Sequence, residues 1–184
     1  LFGYAAGRVI ESFYQFYCSA NDKIIAHFHE WMTGTGILHL EDTVPQIATV
    51  FTTHATVLGR CLAGNNFPLY SNMNSYNPQE CANRFGVQSK FSLEYLSAVT
   101  ADAFTTVSQI TNTECEAFFG KKVDAITING FENSFVPQDA DYEKKRKIAR
   151  HKLIAVAQAL TQQKIDDNAL LIINSGRYEF KNKG

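Results

Sequence analysis

QIATVFTTHATVLGR, residues 46–60, is the stretch whose reading decides the fold. Its first eight residues are rich in β-branched side chains and follow Pro45, which predicts a strand over 46–53. His54 then stands at the strand end, and a short helix carries Arg60 one to two turns further on. Working outward, strands are predicted over 23–29, 103–107, 125–128 and 169–175. Helices are predicted over 1–20, 31–40, 88–100 and 142–163, by apolar residues at three-to-four spacing. Ser108 and Thr111 can cap a further helix, with Glu114 three residues after Thr111 as in a capping box. Residues 64–83 are dense in Asn, Ser and Pro and read as an irregular excursion. Strands alternating with helices imply βαβ units, hence an α/β fold with a Rossmann-like parallel sheet.

Composition narrows the function classes. The chain has 184 residues, 45% of them hydrophobic, enough for one cored domain or parts of two. With 17 Lys+Arg against 18 Asp+Glu, it lacks the basic excess of a nucleic-acid binder. Its longest apolar runs, such as 169–173, fall short of the roughly 20 residues a membrane span needs. Cys18, Cys61, Cys81 and Cys115 are widely spaced and form no C-x-x-C, so reduced intracellular thiols are expected and no metal site. The chain has no initiator Met and ends inside a βα unit, so a piece of a longer protein is expected.

Ligands of parallel sheets sit beyond the carboxyl ends of the strands, which points to His29, His54, Ser108, Asn129 and Arg177. Gly34-Thr35-Gly36 lacks the third glycine of a dinucleotide loop and is set aside. His27 and His29 are assigned to opposite strand faces, one in the core and one at the strand end, which disfavours a metal pair. The run 144–147 is basic, but Asp139, Asp141 and Glu143 lie beside it, as on a solvated helix start. Two clusters remain. In 52–60, His54 and Arg60 can face a sugar or phosphate, with the helix N-terminus favouring an anion. In 175–184, Arg177 and Lys183 supply a fork and a point charge suited to a diphosphate.

Five segments occur in order: FHEW (28–31), VFTTHATVLGR (50–60), FTTVSQIT (104–111), ING (128–130) and GRYEFKNKG (176–184). Together they resemble the animal and fungal type of glycogen synthase, a retaining glucosyltransferase of the GT-B fold. The resemblance implies the latter part of an N-terminal Rossmann-like domain over 1–136 and a bridging helical segment over 137–167. It implies the start of a C-terminal nucleotide-binding domain, with its first strand, over 168–184. It implies transfer of glucose from UDP-glucose to the non-reducing 4-hydroxyl end of an α-1,4-glucan, without a metal or other cofactor, in the cytoplasm. His54, Arg60, Arg177 and Lys183 then match UDP-glucose contacts, Arg177 and Lys183 being the diphosphate pair. Glu30 and Asn129 match positions that meet sugar hydroxyls. The partners implied are UDP-glucose and glycogen or another α-glucan, with a homo-oligomer possible and neither nucleic acid nor membrane. The family's N-terminal lysine and glycine loop and its later acidic motif are not in this sequence, so the chain alone is expected to be inactive. Residues 136–152 carry no His-Glu-Phe-Gln, so the family's control by glucose 6-phosphate is not expected here. The alternatives are another GT-B glycosyltransferase with a different donor or acceptor, and a non-catalytic glycan- or nucleotide-binding module.

Overall fold

A computed structural model describes residues 1–174 and Gly176. The described chain forms two compact units, the first Leu1–Asn129 and the second from Gly130 onward. In the first, α1 (Phe2–Tyr17) is followed by β1 (Ile25–His29), a 3-10 turn (Trp31–Thr33) and α2 (Gly34–Thr43). Next come β2 (Ala48–Thr53), α3 (Val57–Gly64), a 3-10 turn (Met73–Ser75), α4 (Pro78–Arg84) and α5 (Gln88–Thr100). β3 (Ala103–Thr106), α6 (Gln109–Phe119) and β4 (Ala125–Ile126) complete it. The four strands pair in parallel in the order β1-β2-β3-β4, the α/β sheet that the alternation predicted.

Successive parallel strands in one order, joined by crossovers of a single hand, collect their helices on one face. Burial follows that rule. Ala26, Phe28, Thr49, Phe51 and Phe104 are buried, whereas on the other face Ile25, His27, His29 and Ala48 are exposed and only the polar Thr52 and Thr105 are covered. Phe51 and Phe104, paired in register, stack at 5.8 Å in the centre of the core. At the strand starts, the Asp102 carboxylate accepts from Thr49 N and that of Asp124 from Phe104 N, both at 2.7 Å.

The excursion is more ordered than its composition predicts. Asn77 caps α4 by accepting from Glu80 N, and Pro78 occupies the first turn, where its missing N–H costs nothing. Asn-Pro followed by Glu was the readable signal. Ser108 caps α6 by accepting from Thr111 N. The expected capping box is not formed: Thr111 lies inside the helix, and the Glu114 carboxylate reaches Thr56 and Tyr70 instead.

In the second unit, α7 spans Asp139–Thr161. The face expected to be buried is open, with Leu153, Val156 and Leu160 exposed and Ile154 buried instead. Lys145 and Arg146 pair with Asp141 and Glu143, as a solvated helix start requires. The strand expected over 169–175 is absent among the described residues, and Leu170 and Ile172 are exposed. A strand is held by a neighbour's hydrogen bonds, and no described strand runs beside this segment. Arg150 instead holds the turn before it, donating to the carbonyls of Asp167 and Ala169.

Gly34 and Gly36 serve packing, not phosphate binding. A Cβ on Gly36 would stand 2.5 Å from Phe28 Cε1 and 2.7 Å from the Gly3 carbonyl oxygen, so α1 and α2 touch through bare backbone. Gly36→Ala is therefore expected to lower stability by about 1–3 kcal/mol, the cost of overpacking, despite alanine's better helix propensity. Urea denaturation measures it, and an unchanged midpoint would contradict the close crossing.

Candidate functional site

β1 and β2 end side by side, and the residues just past each strand build the site. Glu30 leaves β1 with φ 66° and ψ 158°, a region that glycine alone occupies without strain, at a cost of about 1–3 kcal/mol for other residues. The surroundings hold it there. Glu30 N donates to Thr52 O at 2.9 Å, and Thr33 Oγ1 donates to the carbonyls of His29 and Glu30. The Glu30 carboxylate accepts from His54 N at 3.0 Å, tying the two strand ends together. Arg60, on the second turn of α3, brings Nη2 to 4.0 Å from the same carboxylate oxygen and stays largely exposed. Glu30, Trp31, Met32, His54, Val57 and Arg60 line a cavity of about 360 Å³. A larger apolar hollow along Phe13, Phe16 and Tyr17 of α1 has no strand end at its wall.

His29 also belongs here. Its Nδ1 lies 3.0 Å from His54 Nε2, so one ring donates and the other accepts. The expectation that His27 and His29 point to opposite faces is corrected: residues two apart on a strand share a face. Their rings lie 4.2 Å apart, both are exposed, and neither enters the core. His27 Nε2 meets Thr52 Oγ1 at 2.7 Å. Burial lowers the His29 pKa, His27 and His54 lower it further, and Glu30 opposes them. Among the described residues, no group of three His, Cys, Asp or Glu side chains could hold a metal ion. The four cysteines are free thiols, and burial raises the pKa of Cys61, Cys81 and Cys115.

The start of α3 departs from the expected anion site. Val57 N donates to Glu94 Oε2 at 2.9 Å, and Gly59 N to the capping Thr56 Oγ1 at 3.0 Å. These two donors are satisfied within the protein, and Arg60 is the cationic side chain at the cavity. Ser108 is used as a helix cap. Asn129 is exposed beyond β4, two strands from β2, and does not line the cavity. Arg177 and Lys183 lie outside the described residues. The structure thus brings together Glu30, His54 and Arg60 and adds His29. The segment HFH (27–29) held that signal through the period-two rule.

A four-stranded parallel sheet with crossover helices, and with imidazole and guanidinium groups gathered past its strand ends, has the Rossmann-like α/β architecture. The glycogen synthase family model matches residues 1–184, and the chain belongs to that family. It is 33% identical to a glycogen [starch] synthase of Caenorhabditis elegans, over 100% of this chain and 28% of that protein. It is 36% identical to isoform 2 of the Saccharomyces cerevisiae glycogen [starch] synthase, over 88% of this chain and 23% of that protein. A Dictyostelium discoideum glycogen [starch] synthase is 35% identical over 100% of this chain and 21% of its own length. The chain spans about a quarter of the length of these curated relatives. No described helix is long and apolar enough to cross a membrane.

Two outcomes test the site. Glu30→Ala should be less stable than Glu30→Gly by about 1–2 kcal/mol in urea denaturation, since both lose the carboxylate and only glycine relieves the backbone. Equal stabilities would remove the strain. In an NMR titration the His29 imidazole should protonate below the ordinary histidine value. Because that pKa is depressed, its contribution to stability is present above the unfolded value and is lost as pH falls through the folded one. His54→Ala should move the His29 midpoint upward, and an unmoved midpoint would show that the pair is not coupled.

Proposed function

We propose that the protein carrying this chain transfers glucose from UDP-glucose to the non-reducing 4-hydroxyl of an α-1,4-glucan such as glycogen, with retention of configuration. The observation that carries this reading is the family match over the whole chain, with motif residues 30, 54 and 60 meeting at one cavity. In a GT-B enzyme the donor lies between two domains, and the strand-end edge of this sheet would be one wall. His54 would hold the glucosyl group, and Glu30 and Asn129 would meet sugar hydroxyls.

The chemistry asks mainly for charge. The glucosyl–oxygen bond breaks as negative charge accumulates on the departing diphosphate, and fixed cations facing that oxygen stabilise the transition state more than the ground state. Arg60, Arg177 and Lys183 are the cations assigned to it. Two N–H groups of the helix start, those of Val57 and Gly59, are already committed to Glu94 and Thr56. These side chains supply the charge, with no metal or other cofactor. The protein acts on glucan in the cytoplasm.

The test is incorporation of glucose into glycogen from labelled UDP-glucose by the full-length protein, with circular dichroism as folding control. Arg177→Ala and Lys183→Ala should each reduce turnover roughly 100- to 1000-fold, about 2.7–4 kcal/mol of transition-state stabilisation. His54→Ala should also impair transfer, and Arg177→Lys should rescue only partly, since a point charge cannot form the forked contact. Near-normal turnover in folded Arg177→Ala and Lys183→Ala would refute the diphosphate assignment.

A further inference from the structure

Beneath the cavity lie two buried carboxylates that the proposed chemistry does not use, and both grip the same short segment. Glu94 on α5 is fully buried. Its Oε1 accepts from Thr53 Oγ1 and its Oε2 from Val57 N, each at 2.9 Å. Glu114 on α6 accepts from Thr56 Oγ1 at 2.6 Å and from Tyr70 OH at 3.2 Å. Thr53, Thr56 and Val57 are thereby anchored around His54 and Ala55. Gly59 makes room, for a Cβ there would meet Glu114 Oε2 at 2.2 Å and Thr56 Oγ1 at 2.6 Å.

Placing an ionisable carboxyl in the core costs several kcal/mol unless its bonds are well made. An apolar side chain would fill the same space without that cost, so the grip on the segment is what the carboxylate adds. Glu94 cannot touch substrate, because it has no exposed surface. Both its partners belong to the turn that carries His54 and to the first residue of the helix that carries Arg60.

We propose that Glu94 is a positioning residue for the candidate donor site: through Thr53 and Val57 it sets where His54 and Arg60 stand. The proposal rests on the donor-site reading of that cavity. The ionised carboxylate accepts from both partners at once. Val57 N–H can only donate, so a proton on Glu94 must sit on Oε1, and the Thr53 hydroxyl must turn to accept it. Burial pushes the carboxyl up to about 7, with Glu30 adding to the rise and Arg60 and the two hydrogen bonds opposing it. The charge of Glu94 is also felt by Cys61 on α3, beside Lys90 of α5, and by Cys115 on α6, beside Glu114 and Glu116. Below neutral pH the grip therefore changes from two acceptors to one.

Glu94→Gln in the full-length protein tests this, since the amide keeps the size but offers a single acceptor. At pH 8 it should lower kcat by roughly 10- to 100-fold, as expected for slight misplacement of cavity groups, with the KM for glucan unchanged. The fall in wild-type activity through about pH 7 should be missing from its pH profile. Independently of turnover, hydrogen exchange should quicken in a peptide spanning residues 53–60 and not in one spanning β3. Thr53→Val, which removes one donor at constant shape, should shift both readouts the same way, and it replaces Glu94→Gln if that variant does not fold. Unchanged exchange over 53–60, or exchange that rises uniformly through the unit, would overturn the proposal. So would unchanged kcat in a wild-type protein that does transfer glucose. Local quickening in a protein whose wild type transfers none would support the positioning role and reject the substrate reading instead.

Discussion

β2 is hydrogen-bonded along both edges, Ile25–His29 on one side and Ala103–Thr106 on the other. A shift of one residue would turn every side chain to the opposite face. Phe51 would leave its stack with Phe104, and the polar Thr52 would enter the core in its place. That cost holds the register, and the register in turn sets the height at which β2 ends beside β1. The meeting of Glu30 with His54 N, and of His29 with His54, depends on that one constraint.

The polar groups above the core form a layered support. Thr53 and Thr56 face inward to Glu94 and Glu114, while His54 between them lines the cavity with Glu30 and its ring meets His29. The carboxylates at the start of α3 meet the positive end of the helix from inside the protein. An incoming anion meets side-chain charge, with Arg60 exposed for it and Glu30 close enough to hold the guanidinium in place. The backbone strain at Glu30 belongs to the same support, because it is maintained by bonds from Thr33, Thr52 and His54 rather than by local preference.

Much of this was legible in residue order. The β-branched run before His54, the helix over Gln88–Thr100 and the cap at Ser108 arise from period and from short-range hydrogen bonding, which neighbours in sequence decide. The pairing of His54 with Arg60 was legible too, as both lie on one strand–turn–helix. Glu94 and Glu114 were not. They sit 37 to 58 residues from the groups they hold, and local pattern offered Glu114 only a capping role beside Thr111 and Glu94 none. The same holds for α7, where periodicity identified an apolar stripe and burial fell on Ile154 instead.

The sequence alone therefore determined the parallel α/β class, the family resemblance and the strand-end residues Glu30, His54 and Arg60, because each depends on local pattern or on a contiguous motif. Only the tertiary structure decided that His29 joins His54, that the first N–H of α3 goes to the buried Glu94 carboxylate, and that Gly34 and Gly36 bring helices together rather than cradle a phosphate. Those outcomes depend on which distant surfaces meet, and side-chain burial is a property of the packed layers that no single segment carries.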